Sequence, residues 1–353
     1  MPARIPACLT AMLMLLVLAA PGAAWKVFPL VSYSSSSGIL LGGVVSHNMI
    51  PPFSPFALNC MAYYYTGGSL YAGPEVMVPL GSGLLRGQLE YHVDREKKVY
   101  GWGNEGDSED YGTGDRETQE LSVVYHAPPA GTLLLSGGLL VRHSTVYNTN
   151  FTPDIDGGVW GTYPELNLAS AWTVGPALET RWTLPGPVSS YLEAGGNLQT
   201  GGVGTYGEAD AALAAFVPLS GSTVAAARVK AARHFGTLDT PFPFLPGQGG
   251  NTGLRGYADS RFGGEWTFLA NLELRQRLVT FRLDSETSMS LGVVLFGDAG
   301  QVADGLDETR WDRFHLDGGL GARITIPGGG TLRADFALSP EGLGIQMGLG
   351  QLF

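Results

Sequence analysis

The sequence predicts an all-β chain, a transmembrane antiparallel β-barrel of about sixteen strands of the outer-membrane type, and three observations carry that expectation. Composition comes first: glycine (52) and proline (22) make up roughly a fifth of 353 residues, while charged residues are 15% and hydrophobic ones 44%. That balance disfavours long helices and coiled coils. Disorder fails too, because 14 Tyr, 15 Phe and 7 Trp are too many for a chain that cannot bury apolar surface. Second, strand-sized segments alternate apolar with polar or small side chains, the period-two pattern of a sheet with one lipid face. Leu85, Gly87, Leu89, Tyr91 and Val93 share one parity, and Arg86, Gln88, Glu90, His92 and Asp94 the other. Third, connections alternate in length: 95–116, 145–172, 236–264 and 302–314 are long, whereas 80–82, 128–130, 218–221 and 327–329 are tight.

In chain order, residues 1–24 read as a cleaved signal peptide. Arg4 precedes the apolar run Ala11 to Ala20, and Pro21-Gly22-Ala23-Ala24 supplies small residues before Trp25. The run is shorter than the roughly 20 apolar residues of a spanning helix. Cys8 leaves with that segment and Cys60 stays alone, so no disulfide is expected within the barrel domain, 25–353. Strands are expected near 26–34, 39–48, 56–66, 70–79, 83–94, 117–127, 131–144 and 173–183. Further strands are expected near 189–200, 205–217, 222–235, 265–279, 288–301, 315–326, 330–338 and 343–353. Alternation alone fits a soluble sandwich equally well; the even strand number and the loop pattern favour the membrane. In hydrocarbon every backbone N–H and C=O needs a partner, which a helix-free sheet provides only by closing on itself. At the C-terminus Met347, Leu349 and Phe353 share a parity with Leu343 and Ile345, and a final strand ending on an aromatic resembles the assembly signal of outer-membrane barrels. Gln351 stands where an apolar residue is more usual.

Between Phe235 and Leu278 the chain carries Leu245-Pro246-Gly247-Gln248-Gly249-Gly250, then Leu254-Arg255-Gly256-Tyr257, then Asn271-Leu272-Glu273-Leu274-Arg275. Leu295-Phe296-Gly297-Asp298-Ala299-Gly300, Leu332-Arg333-Ala334-Asp335-Phe336 and, upstream, Glu179-Thr180-Arg181 complete the set. Together these resemble the bacterial surface antigen barrel of the BamA, TamA and two-partner-secretion transporter superfamily. The resemblance implies that Leu254 to Tyr257 tips a long sixth extracellular loop folded into the lumen, and that Phe296, Asp298 and Gly300 belong to the matching strand motif. Glu273 and Asp298 fall on the lumen parity, and a forked guanidinium suits carboxylates bidentately. Arg255 is therefore expected to meet Asp298, with Glu273 second, Gly256 giving a tight turn, and Tyr257 and Phe296 packing beside the pair. Such a cluster serves equally as a structural latch or as part of a transport device. Family members that insert or export proteins carry periplasmic POTRA repeats ahead of the barrel; here Trp25 to Pro29 leads straight into a strand, so a POTRA-less member is expected.

A net charge of −11 gives no basic footprint for nucleic acid. Gly202 to Gly207 matches a dinucleotide pattern only formally, since no helix is expected after it. The six histidines lack metal-ligand spacing, so neither metal nor cofactor is expected. The acidic run Asp107 to Asp115 reads as a solvated loop, and no catalytic constellation is visible, so no enzyme is expected. The favoured function is insertion or translocation of protein or lipid at the bacterial outer membrane. The alternative is a passive channel or a structural barrel with a latched loop, in which Arg86, Glu90, Arg228, Lys230, Arg323 and Arg333 would tune ion selectivity. Expected partners are outer-membrane lipid, the barrel assembly machinery and a separate periplasmic delivery protein, with the chain acting as a monomer.

Overall fold

The computed structural model describes residues 26–34, 38–48, 57–100, 103–105, 108–109, 111–149, 170–202, 204–236, 247–282, 288–326 and 330–353. The segment read as a signal peptide lies outside them. The first half of the chain forms β1 (Lys26–Ser34), β2 (Gly38–Asn48), β3 (Ala57–Tyr65), β4 (Leu70–Leu80), β5 (Gly83–Tyr100), β6 (Tyr111–His126), β7 (Leu133–Tyr147) and β8 (Ala171–Leu184). It continues through β9 (Ser189–Gly201), β10 (Gly204–Pro218), β11 (Thr223–Phe235), β12 (Gly247–Gln248), β13 (Phe262–Gly263), β14 (Trp266–Arg282), β15 (Ser288–Ala303), β16 (His315–Ile326), β17 (Gly330–Ser339) and β18 (Gly342–Leu349). Apart from β12 and β13, which pair with each other, these strands form one closed antiparallel barrel in sequence order.

The register fixes which parity faces where. Arg142 stands beside Thr173, Gln199 beside Tyr206, Arg228 beside Asn271, Asn271 beside Asp298, and Arg323 beside Arg333, so polar residues line the lumen strand after strand. The other parity is apolar and uncovered: Leu178, Leu272, Leu320 and Leu338 are 56%, 62%, 62% and 66% exposed. A continuous exposed belt of this kind is a lipid face. Trp172 and Trp182 on β8 lie on this face, ten residues apart. That separation spans about 33 Å of strand, or about 25 Å of bilayer once tilted, which sets the two rings at opposite interfaces.

Three strands differ most from expectation. β5 runs on to Tyr100 and β6 starts at Tyr111, because a bulge between Asp94 and Lys97 carries the ladder past the expected end. Glu96 takes φ 47 there, and its N–H donates to Asp115 at 3.0 Å. Arg95 and Asn148 donate to the same carboxylate at 2.7 and 2.8 Å. Asp115 is thus a buried pin of the bulge and not part of a solvated acidic loop. At the other end β18 stops at Leu349, four residues short of the expected strand, because Gly350 turns the chain at φ 83.

The sheet is closed unevenly. β1 pairs with β2 from Lys26–Ser46 to Ser34–Gly38, and β17 pairs with β18 from Leu332–Leu349 to Ser339–Gly342. Among the described residues β1 and β18 meet through one registered pair, Ser34 with Gln346.

Candidate functional site

The connection between β11 and β14 is the sixth on its end of the barrel, and its described part lies inside the lumen. Glycines allow the fold-back: Gly249, Gly250 and Gly253 have φ of 132, 62 and 141, where a side chain is strained. The β12–β13 ladder closes the base of the inserted segment. Leu254, Tyr257 and Phe262 pack with Leu269 and Val302 of the wall. Close approach is built into the wall as well, since a Cβ on Gly300 would meet Leu254 at 2.7 Å and one on Gly344 would meet the Arg255 carbonyl at 2.5 Å.

Arg255 is fully buried at the centre of this contact. Its Nε and Nη2 donate to the two oxygens of Asp298, each at 2.8 Å, a bidentate fork. Nη1 donates to Glu273 at 2.7 Å and to Asp335 at 3.3 Å. The guanidinium lies 3.5 Å from the ring centre of Phe296, a cation–π contact in a dry setting. Asn271 donates to Asp298 at 2.7 Å and to the Gly253 carbonyl at 2.8 Å, tying the carboxylate to the loop backbone. The next residue is gripped from both sides: Gly256 N–H donates to Asp317 at 3.0 Å, and Ser339 Oγ donates to the Gly256 carbonyl at 2.8 Å. A Cβ on Gly256 would meet Asp317 Cβ at 2.8 Å and Ser339 Cβ at 2.9 Å. Gly256→Ala is therefore expected to lift the loop tip and admit protease to the sixth loop in folded barrels; an uncleaved variant of wild-type stability would refute the close fit.

Tyr257 sits one step away from the ion cluster, against Phe262 and His315, and its hydroxyl donates to the Leu316 carbonyl at 3.2 Å. Burial, then the Asp317 and Glu341 carboxylates, push that phenol up to about 12, so it remains a donor across ordinary pH. The expected packing of Tyr257 beside the ion pair is thus taken by Phe296 alone. A second tier of arginines surrounds the first: Arg275 donates to Glu273 at 2.7 Å, and Arg323 and Arg333 donate to Asp335 at 2.6 and 3.1 Å. Loop residues also engage: Arg333 Nη2 donates to Asn251 at 2.9 Å, and Arg261 to Glu341 at 2.8 Å.

The mouth is bridged from the opposite wall. Gly103 N–H donates to the Gly263 carbonyl at 2.7 Å, and Asn104 accepts from Val302 N–H at 3.0 Å while donating to the Arg313 carbonyl at 2.7 Å. The third loop thus extends the β12–β13 ladder across the lumen.

The terminal residues also turn inward. The Phe353 ring lies 5.1 Å below Arg228 and 4.9 Å below Arg275, and its main-chain oxygen accepts from Arg275 at 3.0 Å. Gln351 accepts from Arg323 at 3.0 Å. Met347 is in β18 on the lipid-facing parity, whereas Phe353 is not; the side chain of Leu349 lies outside those described. Deleting Phe353 is expected to lower the amount of folded barrel recovered from membranes, through lost packing on Arg228 and Arg275; normal levels would count against that role.

With this geometry in view, a superfamily domain description, "Omp85 superfamily domain", matches residues 86–353, most of the chain. The chain belongs to the Omp85 superfamily. Among solved structures, BamA from Haemophilus ducreyi lacking POTRA domains 1–3 aligns with TM-score 0.60 at 16% identity, over 92% of this chain and 69% of that one. CdiB from Escherichia coli gives 0.60 at 16%, covering 94% and 62%. CdiB from Acinetobacter baumannii gives 0.52 at 16%, covering 93% and 65%. The chain therefore spans about two thirds of the length of each. A search of curated proteins found no match. Omp85 barrels are outer-membrane proteins of an insertion and translocation family, and the residues described here are those of the barrel.

Within this Omp85 barrel the motif residues Arg255, Glu273, Phe296 and Asp298 converge on one point. Sequence reasoning left out Asp335, Asn271 and Asp317 as partners. Their parity was readable, since each alternates with lipid-facing leucines or phenylalanines, but their height in the barrel depends on strand stagger, which no local pattern encodes.

Proposed function

We propose that this barrel is a gated insertase or translocase of the outer membrane. In this reading the sixth-loop latch keeps the lumen plugged, and the seam between β1 and β18 is the lateral route for a polypeptide or lipid delivered by a separate periplasmic protein. The seam carries the reading. Among the described residues β1 and β18 share one registered pair, against nine between β1 and β2, and a seam with so short a ladder is the easiest place for a barrel to open in a bilayer. Pro29, in mid-strand, removes a further donor from β1. The lumen cations offer little to a passive channel: Arg86 is bonded to Glu75 and Gln88, Arg228 to Asn271, Lys230 lies 3.3 Å from Asp210, and Arg323 and Arg333 belong to the latch.

Single-channel conductance in planar bilayers tests this, comparing wild type, Arg255→Ala, and a seam-locked form carrying Ser34→Cys and Gln346→Cys in a Cys60→Ser background. Registered partners lie within disulfide reach. Wild type is expected to stay closed with irregular openings, more frequent in Arg255→Ala and suppressed by the locked seam. One steady open level in all three would make the protein a passive pore.

A further inference from the structure

The wall beside the seam is unlike the rest of the lumen. From Val27 to Pro74 the chain contains no Asp, Glu, Lys or Arg, and the described inner face of β1 to β3 around Leu30, Leu40, Met61, Tyr63 and Tyr65 carries no charge where β14 to β17 are charged. Leu30, Met61 and Tyr63 of that wall border a cavity of about 340 Å³, within the range of small-molecule sites. Its far side is formed by Ile324, Leu332 and Met347, which have the parity of the lipid face. The cavity therefore runs from lumen wall to bilayer across the weakly closed seam. One charged group enters it. Arg333 lines the cavity and is 7% exposed; its two Nη atoms are engaged by Asp335 and Asn251, while its Nε–H has no hydrogen-bond partner. The Asp335 carboxylate is divided among Arg255, Arg323 and Arg333, so the charge of Arg333 is not fully offset. A buried donor on a cation without an acceptor is costly, and an anionic oxygen is its natural complement. Arg333 is also three residues from Gly330, about 10 Å along the strand from the periplasmic end.

We propose that the seam cavity binds an anionic phospholipid from the periplasmic leaflet, one acyl chain lying between Met61 and Met347 and a headgroup oxygen accepting from Arg333 Nε. The site needs no opening of the seam, so it stands or falls separately from the gating reading above. Continuity with the lipid face selects the occupant: a bilayer chain reaches the cavity sideways, whereas a soluble anion would leave the apolar wall uncovered.

The test uses full-length barrel in dioleoyl phosphatidylcholine vesicles containing phosphatidylglycerol with a mid-chain diazirine, or phosphatidylcholine bearing the same label. After photolysis, adducts are expected on the peptide containing Met61 and Tyr63, with phosphatidylglycerol exceeding phosphatidylcholine by about threefold, because both phosphates can accept from Arg333 but only phosphatidylcholine sets a cationic amine against it. Met61→Trp, which fills the cavity and leaves every ion pair intact, is expected to abolish those adducts while labelling at Leu272 and Leu320 continues. Arg333→Gln is expected to erase the headgroup preference. An unlabelled Met61 peptide in wild type means polypeptide fills the cavity and overturns the proposal, as does equal labelling in Met61→Trp. A phosphatidylglycerol preference that survives Arg333→Gln unchanged overturns the headgroup assignment.

Discussion

Arg255→Ala is expected to lower the heat-unfolding midpoint of the detergent-solubilised barrel and to expose its sixth loop to protease. The side chain is fully buried and satisfies Asp298, Glu273 and part of Asp335 at once. Removing one member of a buried ion cluster leaves the others charged in a low-dielectric setting, at a cost of about 3–5 kcal/mol. Total stabilities of folded domains are about 5–15 kcal/mol, so the loss is a large share. Arg255→Lys should recover little, because a single ammonium cannot make the two-pronged contact with Asp298 or spread its charge over the Phe296 ring. Differential scanning calorimetry with limited proteolysis of the same samples reads both effects. Unchanged melting and unchanged cleavage would remove the latch assignment.

The second large effect is expected at Asp335→Asn. Arg255, Arg323 and Arg333 all reach this fully buried carboxylate, at 3.3, 2.6 and 3.1 Å. The amide keeps the shape, removes the charge and offers its N–H groups to cations that are already donors. A destabilisation of about 3–5 kcal/mol is expected from the uncompensated guanidiniums. Since Arg255 and Asp335 belong to one network, the double variant should lose clearly less than the sum of the two singles. Simple additivity in a double-mutant cycle would mean that the inner and outer tiers of the cluster act independently.

Much of this was legible beforehand, and the reasons differ by element. Alternation exposes strands such as β16, where Leu316, Leu320 and Ile324 face lipid opposite Asp317 and Arg323, because a bilayer on one side and a polar lumen on the other give each residue only two environments. The Arg255–Asp298 fork followed from motif and parity. The third carboxylate, Asp335, did not, because it lies 80 residues from Arg255 and meets it through the curvature of the barrel. Gln351 looked like a flaw in a lipid-facing final strand. It is explained once Gly350 has turned the chain inward, where an amide meeting Arg323 is better placed than a hydrocarbon. The bulge at Glu96 was hidden for the opposite reason: a one-residue slip of pairing is a property of two strands, and neither carries it alone.

The order of the latch partners along the chain has a consequence for how the protein is built. Arg255 precedes all of its carboxylates: Glu273 on β14, Asp298 on β15 and Asp335 on β17. The guanidinium has no complete set of counter-charges until the penultimate strand has joined the sheet, so the full latch cannot form before then. Full docking of the loop coincides with near-completion of the wall, and a barrel stalled earlier presents the loop, still cleavable, to the proteases that clear unfinished proteins.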